Sequence, residues 1–283
     1  MAPGPSGDGL ERLRRHYEIE RELADRLRQS NSEERPRLYA ELYAELFRQV
    51  ELDGNADAQR AQVGLLLRLL EPLLGGCRTF LEIGAGTCEL SLELAGRLDR
   101  VWAVDAVDPG IDPGSAPAGF AFVEAGAVAS TVPPGAVDLA LSCHFVEHLH
   151  PDDLQDHLGL VRSRLAPGGA YVVVTPNRLY GPHDVSRYFS DTPRGLHLRE
   201  YSHLELGREL EEAGFEPVAV VGRLGEGPDL RRWRRVAIAE RLLGALPTPF
   251  RRWALDHAPR RAPFRPLEQV KLVGFRPDGG PRR

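Results

Sequence analysis

The chain has 283 residues, of which 42% are hydrophobic and 27% charged, and a formal net charge of −5. That is the composition of a soluble globular protein with room for one sizeable domain and additions, or two small ones, and it excludes a disordered or fibrous chain. No apolar run approaches the roughly twenty residues of a membrane span, so no membrane partner is expected. The modest overall charge hides an asymmetry. From Gly222 onward fourteen Arg and one Lys, Lys271, stand against six acids, a net of +9, which leaves −14 for the rest.

Residues 1–9, rich in Gly and Pro, read as a disordered tail with neither the basic nor the apolar region of a signal peptide. Residues 10–75 read as three helices. Leu10, Leu13, Tyr17, Leu23 and Leu27 form a thin stripe on the first. Pro36 opens the second, where Leu38, Tyr39, Leu42, Tyr43, Leu46 and Phe47 recur at helical spacing. The third runs from about Ala56 to Leu70, toward Pro72 and the Gly75-Gly76 break. Their aromatics are expected to pack on a core, to cover a ligand as a lid, or both.

A core is expected over 76–224. Residues 78–84 are a short buried strand with Phe80, Leu81 and Ile83 as its apolar run, Gly84 and Gly86 make a tight turn, and Thr87 is a cap for a helix over 87–97 whose apolar face is Leu90, Leu94 and Leu98. Val101-Trp102-Ala103-Val104 is the second strand and ends in Asp105. The Pro- and Gly-rich segment 108–119 predicts a loop where a helix would ordinarily stand. Phe120–Val123, Val137–Cys143 and Ala170–Thr175 follow as strands, with a helix from Asp152 to Leu165 and a Pro167-Gly168-Gly169 turn. Strands alternating with helices predict a parallel sheet covered on both faces. The long segment 176–201 carries His183, Asp184, Tyr188, Arg194, His197 and Arg199, and a loop of that length in a compact domain is usually functional or disordered. A helix from Ser202 to Ala213 and a strand from Phe215 to Val221 come next. Residues 225–268 read as an inserted helical cap, and 269–283 as the last core strand and a tail. The arginines of the cap, interleaved with Leu, Ile and Trp, are expected to pair with the acidic body more than with nucleic acid.

The glycine turn and the later acid describe a nucleoside site, with backbone close to the ligand and a carboxylate on ribose hydroxyls. The turn departs from the dinucleotide fingerprint. Its third glycine position falls near Glu89, and Glu82 precedes the first glycine. A pyrophosphate is repelled by that carboxylate, whereas an ammonium is attracted. Glu82-Ile83-Gly84-Ala85-Gly86 resembles motif I of the class I methyltransferases that use S-adenosylmethionine (SAM), and Asp105 resembles their ribose-binding acid. The resemblance runs over about 78–222, with a final strand near 270–276.

The resemblance implies a Rossmann-like seven-stranded sheet with an antiparallel last strand. It implies SAM as cofactor, with Glu82 receiving the amino group, Gly84, Ala85 and Gly86 against the cofactor tail, and Asp105 and Ala106 at the ribose. Gly126 and Ala127 stand where the family places an acid beside adenine, a departure that leaves this contact to backbone or to Glu124. Ser142 and Cys143 are expected on the methionine side.

Methyl transfer to a hydroxyl benefits from a base with a pKa near the operating pH. His148, His183 and His144 are the candidates, with Asp184 to orient one of them. The expected reaction is O-methylation of a small molecule such as a sugar or a specialised metabolite of natural-product biosynthesis. The alternatives are a SAM-binding partner protein without turnover and an NAD-linked dehydrogenase. His144-Phe145-Val146-Glu147-His148 also fits the H-x-x-E-H zinc-protease pattern, but it follows a strand of a nucleotide-binding sheet, and no metal is expected. Cys77, Cys88 and Cys143 form no paired pattern, which fits a reducing, cytoplasmic setting. The expected partner is a small-molecule substrate, nucleic acid is not expected, and a homodimer is left open.

Overall fold

The computed structural model describes residues 7–49, 56–221, 226–257 and 267–278. Three helices come first: α1 (Gly7–Gln29), α2 (Arg35–Gln49) and α3 (Ala56–Leu74). Strands β1 (Thr79–Ile83), β2 (Arg100–Asp105), β3 (Phe120–Glu124), β4 (Val137–Cys143) and β5 (Leu165–Pro176) then alternate with helices α4 (Glu89–Ala95), α5 (Val128–Thr131) and α6 (Leu154–Arg164). Helix α7 (His203–Glu212), β6 (Val218–Val221), β7 (Pro228–Asp229), α8 (Leu230–Gly244), α9 (Thr248–His257) and β8 (Gln269–Phe275) complete the chain.

The strands form one sheet in the order β3-β2-β1-β4-β5-β8-β6-β7. The first five are parallel, and β8 runs antiparallel to both β5 and β6. Eight strands replace the expected seven. The addition is β7, two residues on the outer side of β6, and Pro228 is tolerated there because an edge strand can spare an N–H. The fifth strand also begins earlier than expected. Leu165 already pairs with Val137, and the Pro167-Gly168-Gly169 segment is a bulge between that pair and Leu139–Ala170 rather than a turn ahead of the strand.

Alternation along the buried strands produces two apolar faces. Leu81, Ile83, Val104, Ala140 and Val173 pack with α6 and α7, and Phe80, Val101, Leu141 and Val172 pack with α3 and α4. Helix α7 starts at a capping box. Ser202 Oγ accepts from Glu205 N at 3.2 Å, and the Glu205 carboxylate accepts from Ser202 N at 2.9 Å.

The N-terminal helices have a separate small core: Leu23, Ala24 and Leu27 of α1 and Leu42 and Leu46 of α2 close over Leu196 of the long loop. Arg28 donates to the carbonyls of Arg194 and Gly195, and buried Arg35 grips Asp153 with Nε and Nη2 at 2.7–2.9 Å. These helices thus hold the loop from one side. From the other, α8 plugs Glu240 into a buried network. Its Oε1 accepts from Asn177 Nδ2 at 2.7 Å and pairs with His203 Nδ1 at 2.8 Å.

Some expected limits shift. The tail expected over 1–9 is helical from Gly7, and residues 1–6 lie outside the described residues. The cap expected over 225–268 contains β7, α8 and α9, with Gly225 and residues 258–266 outside the described ones. The 176–201 segment is neither regular nor loose. It carries a 3-10 turn at Val185–Tyr188 and a β-bridge from Asn177 to Tyr201.

Candidate active site

The site begins at the carboxyl ends of β1, β2 and β4, where parallel sheets bind ligands. Gly84 and Ala85 donate their N–H groups to Val104 O at 2.9 and 3.0 Å, which folds the turn back over β2. Gly84 has φ +77°, and a Cβ there would meet Phe145 Cδ2 at 2.8 Å, so only glycine fits. Gly86 has φ +52°, and a Cβ built on it meets nothing within 4 Å, which leaves this backbone open to a ligand.

The helix that follows is not capped by Thr87. Its N-cap is Cys88, in the left-handed region at φ 61° and without a side-chain cap, and α4 starts only at Glu89. The Thr87 hydroxyl instead accepts from Gln59 of α3.

Register places three predicted residues on one face. Glu82 pairs with Ala103 on one side and Leu141 on the other, and Asp105 and Cys143 lie two residues beyond those partners. Glu82 is only 6% exposed, on a face otherwise lined by Phe80, Leu141 and Leu94, and accepts from Ser91 Oγ at 2.6 Å. Burial pushes its carboxyl up to about 7, and no ion pair joins it among the described residues. Asp105 Oδ2 accepts from Gly86 N at 2.7 Å, and Oδ1 accepts from Ala106 N at 2.7 Å. Two oxygens with about four acceptor sites keep capacity for ribose hydroxyls.

Asp105 pairs in register with Glu124, so the 3-10 turn Ala125–Ala127 lies at the same edge. Gly126 is exposed and open, and Ala127 packs against the core while its carbonyl accepts from Ser130. Cys143 is half-buried, and burial pushes its thiol up to about 12, so it stays protonated. Ser142 turns its side chain away from Cys143. It is 0% exposed, and its hydroxyl bonds Tyr171 OH on the opposite face, so it offers a ligand no surface. Alternation explains why: neighbours 142 and 143 must point to opposite faces.

Past the ends of β4 and β5, where β8 begins, lies a cavity of about 520 Å³ lined by His144, Pro176, His183, His197, Glu268, Gln269 and Lys271. The size suits a small molecule. His144 directly follows β4 and is held at φ 52°, a conformation uncommon for a residue with a Cβ. Its Nδ1 lies 3.2 Å from Oε1 of fully buried Glu147, and Thr175 Oγ1 donates to Oε2 at 2.8 Å. Burial alone would push Glu147 up, but the hydrogen bond from His144 and the charges of His148, His144 and His197 hold it down at about 2.

His148 does not line the cavity. Its Nδ1 lies 3.0 Å from Leu196 O, its ring meets those of Tyr43 and His197 edge-on, and burial pushes its pKa down. His183 does line it, with Nε2 3.0 Å from Asn177 O and its N–H donated to Glu200 Oε1 at 2.7 Å. Asp184 orients neither. It caps the Val185–Tyr188 turn through Ser186 N and accepts from Gly195 N at 2.9 Å, as an Asp in a short polar turn does.

Sequence reasoning names His197 only as one of the residues of the 176–201 segment and does not point to Glu200, Glu268, Gln269 or Lys271 as site residues. His197 Nδ1 bonds Glu200 Oε1 at 2.8 Å, and although burial opposes it, that bond and the charges of Glu147 and Glu200 raise the His197 pKa. Burial pushes the Lys271 pKa down. Only the spacing of His197 and Glu200, three apart, could have hinted at a pair. Nothing local says that β8 returns Lys271 to the mouth of β4.

Residues 21–220 match the family of methyltransferase domains. The chain belongs to that family, its cofactor is SAM, and it is a SAM-dependent methyltransferase. A SAM-dependent methyltransferase from Archaeoglobus fulgidus is 21% identical, with 84% of this chain and 99% of that chain covered at a TM-score of 0.49. The methyltransferase SibL is 17% identical, with 95% and 70% covered at 0.50. SpnF, named a [4+2]-cyclase, is 18% identical, with 81% and 86% covered at 0.50. The likeness to SibL and SpnF speaks for a common fold and not for a common reaction. No curated protein matches closely enough to count as a relative. The residues present fit SAM: an amino-acid tail brings the ammonium that buried Glu82 lacks, and Gly86 leaves its backbone uncovered.

Proposed function

We propose that the chain methylates a hydroxyl of a small molecule, a sugar or specialised metabolite, with His144 as general base. The observation that carries this reading is the His144–Glu147 pair, whose histidine lines the cavity while its carboxylate is buried behind it. With Glu147 ionised, Nδ1–H of His144 points at the carboxylate. Nε2 then carries the lone pair that can take a proton, and it accepts a long hydrogen bond from Gln269 Nε2 at 3.5 Å. His148 has its Nδ1 occupied by a backbone carbonyl and stands off the cavity wall, so it ranks below His144. His183 likewise keeps one lone-pair nitrogen, Nδ1, but a neutral carbonyl, Asn177 O, backs its ring where a carboxylate backs His144, so it ranks second.

SAM supplies an electrophilic methyl group on a sulfonium centre. Glu82 receives its ammonium, Asp105 its ribose hydroxyls, and the backbone of Gly84, Ala85 and Gly86 its tail, with Ala106 at the ribose and Gly126 and Ala127 along the adenine edge. Lys271, half-buried on the cavity wall, favours the acceptor oxygen as it gains negative charge. The N-terminal helices act as a lid, because α1 and α2 close over the loop that carries His197.

The test is methyl transfer from labelled SAM to a panel of hydroxylated small molecules. His144→Gln is expected to lower kcat by about 10²- to 10⁴-fold, the usual worth of a general base, while SAM affinity stays within twofold. Wild-type kcat in that variant refutes His144 as base. SAM binding without transfer to any acceptor refutes the enzyme reading.

A further inference from the structure

The long loop and the end of β4 bring together three metal-ligating groups, of which His148 and His197 have no part in the proposed reaction and Glu147 has so far only oriented His144. One oxygen of Glu147, one ring nitrogen of His148 and one of His197 all lie within 4.8 Å of one another. The hydrogen bonds around them select which nitrogens are free. His148 Nδ1 lies 3.0 Å from the Leu196 carbonyl, an acceptor only, so Nδ1 carries the proton and Nε2 the lone pair. His197 Nδ1 lies 2.8 Å from the Glu200 carboxylate, with the same consequence for its Nε2. A ring N–H donated to a carbonyl or carboxylate is the arrangement that fixes metal-binding histidines. Both Glu147 oxygens are steadied by other bonds, to His144 and Thr175, and each still has a free lone pair.

Glu200 adds an independent sign that this pocket was not built for packing alone. It is 5% exposed, and its second oxygen has no hydrogen-bond partner. An ordinary core does not retain a carboxylate in that condition. A carboxylate whose task is to polarise and aim His197 needs only one oxygen for it.

We propose that Glu147, His148 and His197 bind a divalent first-row transition metal ion at the edge of the cavity. Two imidazoles and one carboxylate suit manganese, iron, cobalt, nickel or zinc better than magnesium, which prefers an all-oxygen shell. Bonds of about 2.1 Å require the donors to close to about 3 Å spacing, a rotamer adjustment of an ångström or so. Three protein ligands leave open positions, and His197 lines the cavity, so those positions face the acceptor side. Resting on the methyltransferase reading, the ion would hold the acceptor oxygen and lower its pKa beside His144.

Metal-stripped protein titrated with cobalt(II) tests the site without relying on activity. One equivalent should bind and give a ligand-field absorption band, and X-ray absorption at the cobalt edge should show two imidazole nitrogens. His148→Ala with His197→Ala should lose at least about 100-fold in cobalt affinity, and Glu200→Gln should lose about 10- to 100-fold as a positioning residue. Circular dichroism and SAM affinity check that the variants fold, and where they do not, the imidazole count in the wild type decides. Wild-type protein that binds SAM but takes up no cobalt overturns the site, as does a folded double variant with unchanged cobalt affinity. Cobalt bound through two imidazoles with no methyl transfer to any hydroxyl upholds the site and refutes the acceptor reading alone.

Discussion

Glu82→Gln separates the electrostatic account of the glycine turn from any account based on shape. The carboxyl sits among apolar side chains with one hydroxyl donor, and its pKa is pushed up to about 7. SAM's ammonium must meet the ionised form, so below pH 7 the cofactor has to displace a proton. Affinity is then expected to fall about tenfold, or about 1.4 kcal/mol, per pH unit below 7. It should level off above 7 and decline again as the ligand's amino group loses its own proton near pH 8. The substitution removes the acid limb and a charged hydrogen bond, about 1.5–3 kcal/mol or roughly 10- to 150-fold in Kd. Stability should move the other way. A raised carboxyl pKa means that the folded state keeps a proton the unfolded chain has lost, so the free protein loses stability as pH rises from about 4.5 to 7. The variant should therefore melt higher than wild type at pH 8 while it binds SAM more weakly. Calorimetry between pH 6 and 8, with methylthioadenosine as a ligand lacking the amino group, reads each part. A flat wild-type profile, or unchanged SAM affinity in the variant, refutes the reasoning.

Asp105→Ala should weaken SAM by at least about 100-fold, about 3 kcal/mol, because it removes both the ribose acceptor and the anchor of Gly86 N; wild-type affinity refutes the cofactor pose. His157 is held at about 4 by burial beside Tyr171 and Phe145. Its folded pKa lies below the unfolded value near 6.5, so stability is complete above about 6.5 and is lost as pH falls toward 4. His157→Gln should flatten that part of a plot of Tm against pH, and equal slopes for the two proteins refute the assignment.

The proposed cofactor half of the site is legible in the sequence because its parts are local. A strand, two glycines and a helix start lie within twelve residues, and Asp105 ends the very next strand. Parity along a strand was equally readable in principle, yet Ser142 was placed beside Cys143 although neighbours on a strand cannot share a face. The acceptor half was legible only in its residue types. His144, His148 and His183 were visible as candidates, but which of them faces the cavity depends on Leu196, Asn177 and Glu147, partners that meet only after the loop has folded back. Lys271 and Gln269 reach the cavity because β8 is inserted beside β5 only after β7, α8 and α9, and no spacing rule encodes that return. Thr87 failed as a cap because the turn ends with Cys88 left-handed, a conformation that local propensity disfavours.

The departures from local rules are not scattered. Cys88 and His144 are the two non-glycine residues with positive φ among the described ones. Buried Glu82 has no cation, and Glu200 has an oxygen without a partner. Each is unfavourable for the free chain by about 1–3 kcal/mol. All four border the glycine turn, the cavity or the His197 pair. Packing that merely filled space would have no reason to concentrate such costs at the carboxyl edge of one sheet. Ligands that bring an ammonium to Glu82 and an oxygen to His144 would give two of them a purpose, and an ion on His197 would explain why Glu200 is needed to aim it. The stability they consume is available because the sheet is buried on both faces, by α3 and α4 on one side and α6 and α7 on the other. A chain with so much apolar strand can tolerate a strained, partly unsatisfied rim, and that rim is where the proposed chemistry lies.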